Sequence, residues 1–179
     1  MLIAAGAASA GSYNYNDAEE MRSGGTPGGR YFGWTAVPRR TVSFAGSYKP
    51  GTIVINTTER RLYYVLEGGE AIRYGVGRVG FTWAGVKTVT AKREWPDWTP
   101  PGQMLRRRPD LPRCMKGGEE NPLDARAMYL GSTLYRIHGS NEPETIGEAV
   151  SSGCFRMTNE GVKDLYDRVK IGTTVYISR

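Results

Sequence analysis

This chain has little of what most enzymes use for chemistry. Its 179 residues include one histidine, His138, and two cysteines, Cys114 and Cys154. A zinc site needs three or four ligands, so one His and two Cys at these spacings give poor support for a metal, and no cofactor is expected. Two cysteines allow at most one disulfide, which excludes a disulfide-stapled scaffold. No run approaches the ~18 consecutive apolar residues of a membrane-spanning helix. No internal repeat is visible. No motif for RNA or DNA binding accompanies the net charge of +6, so a nucleic-acid partner is not expected. A basic surface of this kind also suits an anionic polymer. Apolar residues are few, at 39%, while Gly (24) and Pro (10) are plentiful. That balance favours a turn-rich β protein over a helical bundle, with length enough for one domain.

What is present gathers in one stretch. Tyr135-Arg136-Ile137-His138-Gly139-Ser140 is followed by a polar loop and then by Ser151-Ser152-Gly153-Cys154-Phe155-Arg156-Met157. It holds the single histidine and one of the two cysteines. A thiol attacks as its thiolate, and at an ordinary pKa near ~8.5 only a few per cent is ionised at neutral pH. An imidazole remedies this by taking the proton or by forming a Cys⁻/His⁺ pair. Gly139 and Gly153 allow backbone and substrate to approach closely. Val162, Leu165, Tyr166 and Val169 recur at helical spacing, with Thr158 as N-cap. Cys154 is therefore expected just ahead of a helix N-terminus, where the dipole favours a thiolate and N–H groups can hold an oxyanion. Read blandly, the same residues are a small buried cysteine and a packed histidine. A disulfide to Cys114, which lies in a proline-rich loop, would abolish the nucleophile and is not expected.

His138-Gly139, with fifteen residues between His138 and Cys154, and Ser151-Ser152-Gly153-Cys154-Phe155-Arg156 resemble the signature of the L,D-transpeptidase family, the YkuD or ErfK/YbiS/YcfS/YnhG domain. The resemblance runs from about Pro50 to Ile177. It includes Pro50-Gly51-Thr52-Ile53-Val54-Ile55, Arg61-Leu62-Tyr63-Tyr64, Trp95-Pro96, Asn121-Pro122-Leu123 and Gly172-Thr173-Thr174-Val175-Tyr176-Ile177. Two positions depart from the common pattern. Ser152 stands where a histidine is usual, and Asp124 where glycine usually follows Asn-Pro-Leu.

The resemblance implies acyl transfer on peptidoglycan stem peptides through a thioester on Cys154. His138 would be the base and the Gly139 carbonyl would orient it. Gly153, Cys154 and Ser152 would hold the oxyanion, and Arg156 a stem carboxylate or the loop itself. The acceptor would be a second stem amine, an envelope protein, or water in a carboxypeptidase or hydrolase. A non-catalytic wall-binding module is the alternative without chemistry. Papain-like proteases place Cys before His, and caspase-like ones have a different motif around Cys. The implied location is the periplasm or cell envelope, after export.

Along the chain, residues 1–37 are expected to be an arm. Met1 to Ala10 is apolar and ends Ala8-Ser9-Ala10, like the tail of a secretory signal, although it lacks a charged start. Ser23-Gly24-Gly25-Thr26-Pro27-Gly28-Gly29 reads as linker. Residues 38–179 are expected to form the catalytic domain, mainly β and sandwich-like, with one clear α-helix after Cys154. Strands are predicted at 52–56, 62–66 and 71–76 as a meander, and at 86–92, 126–130, 134–138 and 175–178. Between them, residues 94–124 carry Trp95, Trp98, Arg106-Arg107-Arg108 and repeated prolines. This segment is expected to be an ordered lid with a short helix near Met104. Tyr129 and Tyr135 are candidates to line the cleft, with core packing the favoured reading.

Overall fold

The computed structural model describes residues 37–77, 84–141, 146 and 154–179. The strands are β1 (Arg40–Ser43), β2 (Ile53–Asn56), β3 (Arg61–Val65), β4 (Glu70–Gly75), β5 (Gly85–Glu94), β6 (Arg126–Leu130), β7 (Arg136–His138), β8 (Phe155–Arg156) and β9 (Thr174–Ser178). The helices are α1 (Gly102–Arg107) and α2 (Asn159–Arg168). The expected N-terminal arm up to residue 36 lies outside the described residues. Val37 is buried and packs on Gly75, where any β-carbon would collide with it.

The meander forms as its turn residues dictate. Asn56 Oδ1 accepts the Glu59 N–H at 3.0 Å across the first turn. Gly68 and Gly69 take positive φ in the second, which their lack of a β-carbon permits. The strands order as β1-β4-β3-β2-β9-β5-β6-β7-β8. β5 joins the two halves: residues up to Thr88 pair with β9, and residues from Val89 onward pair with β6. A register shift between Val89 and Ala91 marks the passage, as a β-bulge bends a strand. β9 comes last among the strands but sits between β2 and β5, parallel to β2 and antiparallel to β5.

Alternation along these strands builds one core. Ile53 and Ile55 of β2, Leu62 of β3, Tyr74 of β4, Val175 and Ile177 of β9, and Met128 and Leu130 of β6 are all buried in it. Against them α2 lays Val162 and Leu165, one stripe of an amphipathic helix. Thr158 caps α2 as its sequence suggests, accepting the Gly161 N–H at 3.0 Å. At the other end Lys92 Nζ donates to the carbonyls of Tyr166 and Val169, each at 2.6 Å, where the dipole favours a cation. On the opposite face of the sheet Val54 lies between Tyr63 and Tyr176, and Phe44 and Tyr48 complete an aromatic layer over it.

The segment between β5 and β6 is hydrogen-bonded throughout and contains α1. Trp98 and Met115 exchange backbone bonds at 2.8 Å. Lys116 Nζ reaches Asp97 at 2.8 Å. Asn121 holds the segment together from inside. Its amide donates to the carbonyls of Pro96, Met115 and Lys116, and its Oδ1 accepts the Leu123 N–H.

Asn121→Ala takes a partner from the Pro96 and Lys116 carbonyls and from the Leu123 N–H, while the Met115 carbonyl keeps the Trp98 N–H. It is expected to cost on the order of 3 kcal/mol. Urea unfolding measures the loss, and the Trp98 and Leu123 amides should exchange faster in the variant.

Candidate active site

His138 ends β7, as its sequence position suggests, although the strand begins at Arg136 rather than Leu134. Cys154 immediately precedes β8, a two-residue strand that sequence pattern did not reveal. β7 and β8 pair in parallel, Ile137 opposite Phe155 and His138 opposite Arg156. Ile137 and Phe155 both point into the core. Alternation therefore places His138 and Arg156 on the other face, and one step back it places Arg136 and Cys154 there too. Strand geometry puts the Cα atoms of His138 and Cys154 roughly 8 Å apart on a diagonal, one strand spacing by two residues. Four side chains with chemistry thus occupy the corners of one block. Arg136 lies across from Cys154, and His138 lies across from Arg156.

Backbone bonds pin the block. The Met157 N–H donates to the His138 carbonyl at 2.9 Å, and the Gly77 N–H to the Arg156 carbonyl at 2.8 Å. The Gly139 N–H donates to Arg126 at 3.1 Å. A β-carbon at Gly139 would strike Asn159 Oδ1 at the start of α2, so a side chain there would have to push the Asn159 amide aside. Asn159 Nδ2 in turn donates to Asp124 Oδ2 at 2.6 Å. Asp124 adopts φ +48°, in the left-handed region, which accounts for glycine being usual there. Aspartate tolerates that conformation, and its carboxylate is buried against the helix start.

His138 is buried, and its Nδ1 lies 2.5 Å from the Gly139 carbonyl. A carbonyl oxygen only accepts, so Nδ1 carries the hydrogen and Nε2 keeps the lone pair. Burial holds the imidazole down at about 4. The Gly139 carbonyl opposes this, and the charges of Arg136 and Arg156 add to it. Burial also pushes the Cys154 thiol above its ordinary range. The charges of Arg136 and Arg156, with hydrogen bonds from the Arg136 backbone and side chain, draw it back only in part. The sulfur contacts the Leu134 carbonyl at 3.8 Å. Both shifts favour a neutral thiol and a neutral imidazole over a Cys⁻/His⁺ pair.

The helix starts where the sequence places it, at Asn159 behind the Thr158 cap, but the helix-end field expected at Cys154 does not reach that far. β8 and Met157 intervene before the cap at Thr158, and a helix-end field fades within about a turn. The positive surroundings of the sulfur come from two arginines instead. Arg156 was flagged by sequence; Arg136 was not, although it lies two residues before the histidine. Its guanidinium stacks over Tyr129 at 5.2 Å, so Tyr129 flanks the site, while Tyr135 packs against the core. Ser152 and Gly153 lie outside the described residues. Cys114 and Cys154 are both free thiols. Among the described residues no group of His, Cys, Asp and Glu could hold a metal ion, and no helix is long and apolar enough to cross a membrane.

Residues 50–177 match the family of the YkuD L,D-transpeptidase catalytic domain. A probable L,D-transpeptidase of Escherichia coli strain K12, ErfK/SrfK, is 39% identical over 136 residues, covering 70% of this chain and 43% of its own length. The chain thus spans less than half of that relative. A solved structure from Brucella melitensis, described as a probable carnitine operon oxidoreductase caia, is 48% identical. The match covers 76% of this chain and 90% of that one, with a TM-score of 0.53. An L,D-transpeptidase from Mycobacterium smegmatis shares the fold, with a TM-score of 0.57 at 16% identity over 72% of this chain and 58% of its own.

Because His138 is neutral when folded but takes a proton near pH 6.5 when unfolded, the unfolded chain binds more protons between pH 6.5 and about 4. Stability is therefore full above that window and falls on acidification through it, by on the order of 3 kcal/mol from this group. His138→Gln cannot titrate and should flatten this part of the stability–pH curve, measured by urea midpoints. Iodoacetamide labelling of Cys154 should be slow at neutral pH and still rising at pH 9, the ordinary thiol value.

Proposed function

The chain belongs to the L,D-transpeptidase catalytic domain family, and from that premise we propose that it transfers acyl groups of peptidoglycan stem peptides through a thioester on Cys154. The observation that carries this reading is the block on β7 and β8, where a neutral imidazole with its Nε2 lone pair available shares a sheet face with the thiol. In the proposed reaction Nε2 takes the Sγ proton as sulfur attacks the carbonyl of the diaminopimelate residue. The carbonyl electrons move onto oxygen, and the N–H groups of Gly153 and Cys154, with Ser152, hold that oxyanion. Collapse breaks the C–N bond, and the imidazolium returns its proton to the departing D-alanine amine. An acceptor amine then attacks the thioester by the same steps in reverse. The Gly139 carbonyl keeps Nδ1–H in place throughout, and Arg156 holds a carboxylate of the stem. The acceptor is a second stem peptide, giving a 3→3 cross-link, or an envelope protein. The enzyme is exported and works in the periplasm or cell envelope.

The oxidoreductase description belongs to the Brucella relative. In this chain Gly75-Val76-Gly77-Arg78-Val79-Gly80 does carry the spacing of a dinucleotide fingerprint. That fingerprint joins a parallel strand to a helix. Here β4, which leads into it, is antiparallel to both neighbours, and the next described element is the strand β5.

Incubation with purified tetrapeptide muropeptides should add the mass of a thioester-linked stem to the intact protein. Cys154→Ala should add none, and His138→Gln should acylate about 10²–10⁴-fold more slowly. An adduct persisting in Cys154→Ala overturns the assignment. Released products identify the acceptor: dimers mark transpeptidation, tripeptides mark water. A carbapenem should likewise acylate Cys154, and prolonged incubation without an adduct counts against the family chemistry in this chain.

A further inference from the structure

Asp124 and Asn159 take no part in the proposed reaction, yet they meet beside the carbonyl on which the imidazole depends. His138 Nδ1 donates to the Gly139 carbonyl at 2.5 Å. Glycine has no β-carbon to limit its φ and ψ, so the peptide plane that carries this oxygen needs restraint from its surroundings. The Gly139 N–H is held by the Arg126 carbonyl at 3.1 Å. The space a β-carbon would fill is closed by Asn159 Oδ1, with Val162 of α2 and the Ala125 backbone nitrogen beside it. Asn159 is the first residue of α2, behind the Thr158 cap, so the helix fixes its backbone. Asp124 fixes its amide, because Asp124 Oδ2 accepts from Asn159 Nδ2 at 2.6 Å. Turned over, the amide would set its own oxygen against a carboxylate, two acceptors with no hydrogen between them. Asp124 therefore decides that the oxygen end faces Gly139. That oxygen is buried and takes no N–H or O–H from the described residues, which leaves it against the Gly139 Cα–H. Asp124 is itself held in place. It is buried, its N–H donates to the Asn121 carbonyl at 2.9 Å, and the Ala125 carbonyl after it accepts from the Trp95 N–H at 3.0 Å.

We propose that Asp124 and Asn159 are positioning residues: through the Asn159 amide, the Asp124 carboxylate holds Gly139 where its carbonyl keeps the hydrogen of His138 on Nδ1. The effect of the pair on rate rests on the acyl-transfer reading; its effect on the imidazole does not.

His138 is the only histidine in the chain, so the nitrogen NMR spectrum of histidine-labelled protein reports a single imidazole. At neutral pH the wild-type protein should show a pyrrole-type Nδ1 and a pyridine-type Nε2, the signature of one tautomer. Asp124→Gly removes the carboxylate while leaving the turn unstrained, since glycine adopts φ +48° freely. In that variant the two signals should move toward one another as the hydrogen spreads over both nitrogens. Asp124→Asn tolerates the same backbone and still offers an oxygen to Asn159 Nδ2, so it should restore the wild-type spectrum. Wild-type signals in Asp124→Gly overturn the proposal, and so does an Asp124→Asn spectrum that matches Asp124→Gly. Should Asp124→Gly fail to fold, Asn159→Ala carries the same readout, because alanine suits a helix turn. Unmoved signals there overturn the proposal equally. With tetrapeptide muropeptides, Asp124→Gly should lower kcat for acylation about tenfold and leave KM unchanged, the effect of one lost hydrogen bond on positioning alone. Signals that move in Asp124→Gly, in a protein whose wild type never acylates, sink the transfer reading alone. Normal acylation by Asp124→Gly with unmoved signals sinks the positioning role alone.

Discussion

Everything chemical in this molecule depends on two residues of parallel pairing. Among the described residues β7 and β8 pair at Ile137–Phe155 and His138–Arg156. So short a ladder has little strength of its own, and it is held from outside. The Met157 N–H bonds back to His138, Gly77 holds the far side of Arg156, and Phe155 and Met157 anchor their strand in the core. The core side chains fix the register, because a slip of one residue would send Cys154 and Arg156 inward and bring Phe155 out. The hydrophobic interior therefore decides which face the sulfur occupies.

The electrostatics follow from the same placement. Burial keeps the imidazole uncharged and the thiol protonated, and two arginines work against the imidazolium while favouring a thiolate. The resting site stores no reactive anion. In the proposed reaction proton transfer belongs to the moment of attack, when a substrate carbonyl can take up the charge that sulfur gives away. A site of this kind reacts sparingly with stray electrophiles and depends on what its ligand brings.

Much of this was legible from sequence, and for identifiable reasons. The meander announced itself through alternation and through turns at Asn56–Glu59 and Gly68–Gly69. The stripe Val162, Leu165 and Val169 with Thr158 before it predicted the helix and its cap. The motif placed His138 at a strand end. β8 was illegible because two residues carry no period, and its partner lies beyond a long loop. That one gap credited the helix end with a field that two arginines supply, and it hid Arg136, which reads as an ordinary outward residue until its cross-strand neighbour is known. Asp124 looked like a departure of uncertain effect. Its positive φ and its bond to Asn159 show a turn that glycine would make freely and that aspartate makes while tying down the helix start.

β9 has a consequence of another kind. The strand written last in the sheet is its middle beam, with β2 on one side and β5 on the other. A ribosome must therefore deliver nearly the whole domain before the two halves can be joined. Until Val175 and Ile177 emerge, Ile53 and Ile55 have no parallel neighbour and Val86 and Lys87 no antiparallel one. The β1–β4 meander can pair as it emerges, but the two halves of the sheet meet only once β9 is made.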